Sequence, residues 1–489
     1  MAMIAWLPRS AARVDPPAAT PEVRGTWIST TGNDAIATHA KTKETMWRLR
    51  EIGLNTVYVE VWKNGYTQYP SKVLERTIGV DRRPNLMPKG GEPRDLLLET
   101  LIEAHRNGLV YHAWFEYGFM AAFKNTDNHL RRMKPEWMSR DINGNDVAPN
   151  GFVWMNPLHP ETRRFLLDLV LEAIDTYDLD GVQLDDRIVW PYITMGYDDY
   201  TKRVYAAEHG GKEPPADHTN EAWRRWRANK INEYARQFVQ EVRDARPGLL
   251  VSLSPAVYPW CYEYYCLEWP TWAAWTSADK RDLGDFVRAS GITPRWDEFI
   301  PQCYRFSYDA FEKTWLDQVK WMKEKGGGRI ADMMPGIRIV GEGPDAPWDD
   351  VRRSIELART TGAGGHVLWY SPGVIKYEKQ FADFYDAPGK GRHAKHPKIP
   401  DDWRPPGIAL TPTGTSEKGE QIWTTRVPEP DLAQGRYQRF GFKSGVWRDL
   451  GVIDVAANAA TTGITTHHDP GFDEILWLRD RRVENSKPR

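Results

Sequence analysis

The chain has 489 residues, 27% of them charged and 41% hydrophobic, the ordinary balance of a water-soluble globular protein. Its 65 basic and 67 acidic side chains leave a formal net charge of -2, which removes any chain-wide electrostatic case for nucleic acid or an anionic membrane surface. No apolar run approaches the roughly 20 residues of a bilayer span. The 3 cysteines make neither a disulfide framework nor a four-cysteine zinc site.

Residues 1–21 read as an N-terminal arm. Met1–Arg9 lacks both the basic start and the apolar core length of a signal peptide. From Glu22 onward, short apolar runs rich in β-branched and aromatic residues alternate with longer stretches of helical period. The predicted strands are Arg24–Thr30, Asn55–Trp62, Val110–Glu116, Gly181–Asp186, Leu249–Ser254, Phe299–Tyr304, Met333–Val340 and Gly365–Tyr370. The predicted helices include Lys43–Ile52, Asp95–Asn107, Glu161–Tyr177, Glu221–Ala245, Phe311–Lys325 and Asp349–Thr361, several of them stopped by a glycine. Eight strands alternating with helices predict an α/β fold, a parallel (β/α)8 TIM barrel over residues 22–387. An open doubly wound sheet is the alternative, and it would normally carry a glycine-rich phosphate turn that is missing here. Residues 388–489 read as a linker rich in Gly, Pro, Lys and His followed by a small β-rich region, with strands at Gln421–Val427, Arg436–Phe442 and Ile475–Leu478.

In a barrel of this kind the working groups sit at the C-terminal ends of the strands. Those ends carry carboxylates and aromatics: Glu60, Glu116, Asp185 and Asp186, with Glu342 on the loop past strand seven. Glycoside cleavage needs one protonated and one ionised carboxyl across the bond. Asp185 is the candidate for the ionised group. Only one of Asp185 and Asp186 can face straight into the mouth, because adjacent strand residues point to opposite sides. The proton donor stays open among Glu116 and Glu60 at neighbouring strand ends and Glu263, Glu268 and Glu342 on loops, and Asp186 is a further candidate for a direct role. The 23 tryptophans and 21 tyrosines supply flat faces for sugar rings. Trp27, Trp62, Trp114, Trp190, Trp260 and Trp369 are the candidate platforms, with Arg187 and Tyr304 beside them. No metal or other cofactor is expected, since neither an H-x-x-x-H nor an H-E-x-x-H motif occurs, and no serine-hydrolase elbow is present.

The segments RGTWIST (Arg24–Thr30), GLNTVYVEVW (Gly53–Trp62), YHAWFEYG (Tyr111–Gly118), KPEWM (Lys134–Met138), the run Met155–Asp186 ending YDLDGVQLDD, SLSPAVYPW (Ser252–Trp260) and IPQCY (Ile300–Tyr304) occur in this order. In them the chain resembles a bacterial family of glycoside-hydrolase-like barrel proteins, the GHL10 or DUF187 group. The resemblance implies a glycosidase acting on a carbohydrate substrate, cell-wall or exopolysaccharide strands being typical; a secreted, periplasmic or cell-surface setting is the expectation, with a cytoplasmic one as the alternative. It implies Asp185 as the strand-four acid and adds Asn156 and Gln302 to the cleft. The chain departs from the family at strand three, which ends in Glu116 where Asn is more frequent, and at strand two, with Glu60 where Gln is usual. A carbohydrate-binding barrel without turnover, or a transglycosidase, is the competing expectation. Oligomeric state is left open.

Overall fold

The structure is a computed structural model in which residues 20–124, 126–275, 295–386, 392–400, 407–425, 434–456 and 458–482 are described. The N-terminal arm lies outside these residues except for its last two positions. So do the expected boundary at Ala387 and the last two residues of the strand expected over Gln421–Val427.

Eight strands make one parallel sheet: β1 Val23–Ile28, β2 Thr56–Glu60, β3 Val110–Phe115, β4 Gly181–Asp185, β5 Leu250–Ser254, β6 Glu298–Phe299, β7 Gly336–Arg338 and β8 Gly365–Trp369. They neighbour one another in the order β6-β5-β4-β3-β2-β1-β8-β7. Parallel bridges between Phe299 and Met333 and between Gln302 and Gly336 join the two outer strands and close the ring. β6 is much shorter than the run predicted for it, because Pro301 has no N–H to give the ladder. The six predicted helices are present as His39–Ile52, Leu96–Arg106, Pro160–Thr176, Glu221–Ala245, Tyr308–Lys325 and Trp348–Thr360. Thr38, Asp95, Asn220 and Ser307 cap four of them by accepting a backbone N–H. The first ends on Gly53 at φ +110, where the sequence predicts a stop.

Period-two alternation fills the barrel in layers. Trp27 of β1 sits near the centre, its ring centroid 5.9 Å from Tyr58 of β2 and 6.4 Å from Trp114 of β3. Its Nε1 donates to Gln183 Oε1 at 2.8 Å, and the Gln183 amide donates onward to Ser252 Oγ at 3.0 Å. At the N-terminal end of the strands, Glu298 is fully buried, with His112 Nε2 at 3.4 Å, Tyr58 Oη at 3.2 Å and His396 Nε2 at 3.5 Å. His396 comes from the stretch 392–400, read from sequence as an exposed linker or wrapping arm. That stretch is tied across the strand starts by Glu22 N to Lys395 O (3.1 Å), Asn55 Nδ2 to Ala394 O (3.0 Å) and Arg24 Nη1 to Arg392 O (2.8 Å).

A second, largely antiparallel sheet follows: β9 Ile408–Thr415, β10 Gln421–Thr425, β11 Gly435–Lys443, β12 Val446–Val455, β13 Ile464–His468 and β14 Glu474–Arg479, in the order β12-β11-β14-β9-β10-β13. It packs on the outside of the barrel. Phe440, Trp447, Leu476 and Leu478 form one apolar cluster with Ile102 of the helix Leu96–Arg106. Phe442 stacks on the His39 ring at 4.0 Å, and Arg106 pairs with Glu474 at 2.7 Å.

Two buried histidines set the acid limit of this fold. Burial lowers His112 to about 4 and His366 to about 3 from an ordinary 6.5. Both rings stay neutral in the folded chain, whereas the unfolded chain takes up their protons below pH 6.5. Stability is therefore unaffected above that pH and is lost as pH falls through it toward 4. His366→Gln, which keeps a polar partner for Tyr385 Oη, is expected to remove about 2 kcal/mol of this loss at about pH 5. Denaturant titrations of both proteins near pH 7.5 and pH 5 check this, and an identical pH dependence in parent and variant would contradict it.

Candidate active site

Alternation decides which acids enter the mouth. Gln183 reaches Trp27 inside the barrel, so Asp185, two residues on, also points in. Tyr58 and Trp114 face Trp27 in the same way, which turns Glu60 and Glu116 inward one layer higher. Just past β6, Ile300 joins the same interior cluster, and Gln302 reaches Asp185. Asp186 leaves the strand and starts the loop.

Two cations hold these acids together. Lys63 lies on a tight hairpin in which Trp62–Lys63 pairs with Tyr66–Thr67. The turn is Asn64-Gly65 with φ +51 and +80, the dipeptide that accepts a left-handed two-residue turn. Its Nζ lies 2.7 Å from Glu60 Oε2 and 2.8 Å from Glu116 Oε2. Arg187 Nη1 reaches Asp185 Oδ2 at 2.7 Å, the Glu116 carbonyl at 2.9 Å and Glu116 Oε1 at 3.3 Å. The Asp185 and Glu116 carboxylate oxygens therefore lie within about 6 Å of each other, a bound set by the shared nitrogen. Tyr117 presents its ring to both cations, each 5.8 Å from the centroid. Gly118, at φ +46, lets the chain pass against Arg187; a Cβ there would stand 2.5 Å from the Arg187 carbonyl. Ser29 Oγ donates to Glu60 at 2.7 Å, and the Thr30 hydroxyl adds a second bond.

The environments push the four carboxyls in different directions. Burial raises Glu116, but Lys63 and Arg187 outweigh it and hold this carboxyl below its ordinary value. Glu60 is raised by burial and then by the charge of Glu116, against Lys63. Burial and the neighbouring Asp186 push Asp185 well above the ordinary range, with Arg187 opposing. Asp186 is raised by burial and by Glu116, while Arg187, Asp185 and the Gln302 amide temper the rise. Each of the two neighbouring aspartates thus disfavours ionisation of both at once. Three donors converge on Asp185: Arg187 Nη1, the Asp186 N–H at 2.9 Å and Gln302 Nε2. The buried Oδ1 of Asp186 has no hydrogen-bond partner. Hydrogen bonding thus favours charge on Asp185, whereas burial raises Asp185 further than Asp186. Asp186 is also the more open of the two, its side chain 27% exposed against 3% for Asp185 as a residue.

The aromatic candidates divide sharply. Trp27, Trp62, Trp114 and Trp190 are at most 1% exposed and have no face open to a sugar. Trp62 Nε1 is spent on the Gly118 carbonyl and Trp190 Nε1 on that of Met195. Trp260 is 43% exposed, beside the exposed Tyr264 at 5.3 Å. Half-buried Trp369 at the end of β8, Tyr370 after it and Tyr304 on the segment after β6 make a second aromatic group, with Trp369 5.5 Å from Tyr304. Asn156 is buried away from the acids, donating to Asp198 at 2.8 Å and Thr201 at 2.9 Å. Glu342 sits on an exposed loop, and the structure does not bring it to the cluster. Lys63, Ser29, Thr30, Tyr117 and Tyr264 escape the sequence reading. For Lys63 the Asn-Gly turn right after it is the signal that was available.

Among the described residues no helix is long and apolar enough to cross a membrane, and no three His, Cys, Asp or Glu side chains group so as to hold a metal ion. Glycosyl hydrolase YngK of Bacillus subtilis (strain 168) is 25% identical over 333 residues, 62% of this chain and 56% of that protein. Glycosyl hydrolase DigH of Escherichia coli (strain K12) is 25% identical over 300 residues, 56% of this chain and 61% of that one. The chain thus spans little more than half the length of these relatives. The PgaB (BpsB) glycoside hydrolase domain from Bordetella bronchiseptica shares the fold, with a TM-score of 0.52 at 11% identity over 74% of this chain and 99% of that one. The family model described as Glycosyl hydrolase-like 10 matches residues 22–326, well over half of the chain, and the chain belongs to that family.

Proposed function

We propose that the chain hydrolyses glycosidic bonds within a bacterial polysaccharide, a cell-wall or exopolysaccharide strand. The observation that carries this reading is the gathering of Asp185, Asp186 and Glu116 around Arg187 at the end of β4; we read Asp185 and Asp186 as holding one proton, on Asp186, beside an ionised Glu116. Asp186 gives its proton to the bridging oxygen as the bond to the anomeric carbon breaks. The anionic Asp185 and Glu116 oppose the positive charge growing on the sugar. Water then adds its hydroxyl to that carbon and returns a proton to Asp186, which closes the cycle. Trp260 and Tyr264 offer exposed faces close to the acid; Tyr265 of the same segment lies within the electrostatic reach of Asp186. Trp369, Tyr304 and Tyr370 supply the other wall. Cutting within a strand suits platforms on separate segments, which would hold sugar on both sides of the acid.

Asp186→Asn removes the proton donor while keeping the side chain's size. It is expected to cut reducing-end release from peptidoglycan glycan strands or exopolysaccharide by about 10²- to 10⁴-fold, with an unchanged melting temperature. Asp185→Asn is expected to be similarly impaired. Full activity in either variant would contradict the reading, and glycan binding without release by the parent would favour a carbohydrate-binding barrel instead.

The pH profile gives a second check. Activity requires Asp186 protonated and Glu116 ionised, so it falls as pH rises through the raised value of Asp186. Glu116 raises Asp186, so Glu116→Gln is expected to move the alkaline limb to lower pH. A limb that stays in place or moves upward would break the proposed link between the two carboxyls.

A further inference from the structure

A second cleft, of about 650 Å³, opens on the same side of the barrel as the acids but shares no residue with them. One wall is the turn after β3 around Arg140–Gly144, and the other is the start of the helix Asp199–Glu208 that follows the β4 loop. The two walls are bonded together. The N–H groups of Gly196 and Tyr197 both donate to the Arg140 carbonyl at 2.9 Å, and Asp141 bridges Met195. Gly196, at φ +104, cannot carry a side chain, because a Cβ would stand 2.4 Å from the Trp190 ring. The cleft is therefore a built feature of the loops, in the size range of ligand sites.

Three cations, Arg140, Lys202 and Arg203, line it beside four carboxyls, Glu136, Asp141, Asp198 and the exposed Asp199, and among the described residues none of the three cations forms an ion pair. Arg140 spends one nitrogen on the Gly144 carbonyl at 2.9 Å, and Arg203 lies 5.7 Å from the Tyr200 centroid. Most of the carboxyls present are already engaged. Asp198 caps the helix and holds Asn156, Asp141 accepts from the Asn143 N–H and from the N–H and Nδ2 of Asn145, and Glu136 stands 3.9 Å from Lys134. Tyr200, with the His159 ring 4.6 Å away, gives a flat aromatic patch beside the cations. Unpaired cations next to an aromatic surface suit a sugar ring that carries a carboxylate.

We infer that this cleft is an accessory binding site for an acidic saccharide, separate from the acid cluster. The inference rests on the glycan reading only for the class of ligand. The test is calorimetric titration of the full chain with tri-galacturonic acid and, in parallel, neutral tri-N-acetylglucosamine. The acidic trisaccharide is expected to bind, to lose about 10-fold or more in affinity in the Arg140→Ala/Lys202→Ala variant, and to weaken in about 0.5 M salt. Asp185→Asn is expected to keep this binding whether or not the chain proves hydrolytic, which separates the two readings. Tyr200→Ala, expected to weaken binding without touching charge, serves if the double variant fails to fold. No binding, equal binding of the neutral sugar, full affinity in the folded double variant, full affinity in Tyr200→Ala where it stands in, or loss of binding in Asp185→Asn would each overturn the inference.

Discussion

Arg187 Nη1 stands between two carboxylates from neighbouring strands, 2.7 Å from Asp185 and 3.3 Å from Glu116, and the mouth of the barrel is organised around that contact. Four acids facing one small space would repel one another and resist burial. Alternating them with Lys63 and Arg187 makes a chain of opposite charges from Glu60 to Asp185. The cations do not neutralise the acids evenly. Glu116 touches both of them and is held ionised, whereas Asp186 lies 3.7 Å from the Arg187 Nε and keeps its raised value. The difference between these carboxyls, more than their number, is what an acid–base site needs.

The same alternation that brings the acids inward keeps the tryptophans out of the cleft. Trp27 and Trp114 lie one layer below the acids, where a bulky side chain fills the ring's interior instead of meeting a ligand. Trp62 and Trp190 belong to the packing outside the strands. The exposed Trp260 and Tyr264 sit on a short helix, Trp260–Tyr265, that follows β5. At the opposite end His396 and the stretch around it cover the strand starts, and the second sheet braces two outer helices. The barrel is thus closed below and at one side, with its chemistry confined to the top.

The strand order and the inward turn of Asp185 were legible because both follow from period-two and period-3.6 patterns along the chain. The short β6 was less so, since a single Pro301 outweighs a run of strand-forming residues. Which tryptophans stay open could not be read, because position along a strand does not say how high in the barrel a residue ends. The part played by Lys63 and Arg187 depends on contacts between adjacent strands, which no spacing in the chain reports. Asn156 reads as a cleft residue by resemblance, yet its amide is tied to Asp198 and Thr201 beneath the neighbouring helix. The stretch 392–400 has the composition of an exposed linker, and only its hydrogen bonds to Glu22, Arg24 and Asn55 reveal where it lies.

The central claim is that Asp185 and Asp186 hold one proton between them at a pH where ordinary aspartates have lost theirs. Carbon-detected NMR titration of the aspartate carboxyls, assigned by comparison with Asp186→Asn, measures it directly. With the proton on Asp186, one carboxyl of the pair is expected to titrate above 3.8, and that signal to vanish in the variant. Two carboxyls that both ionise at or below 3.8 would contradict it.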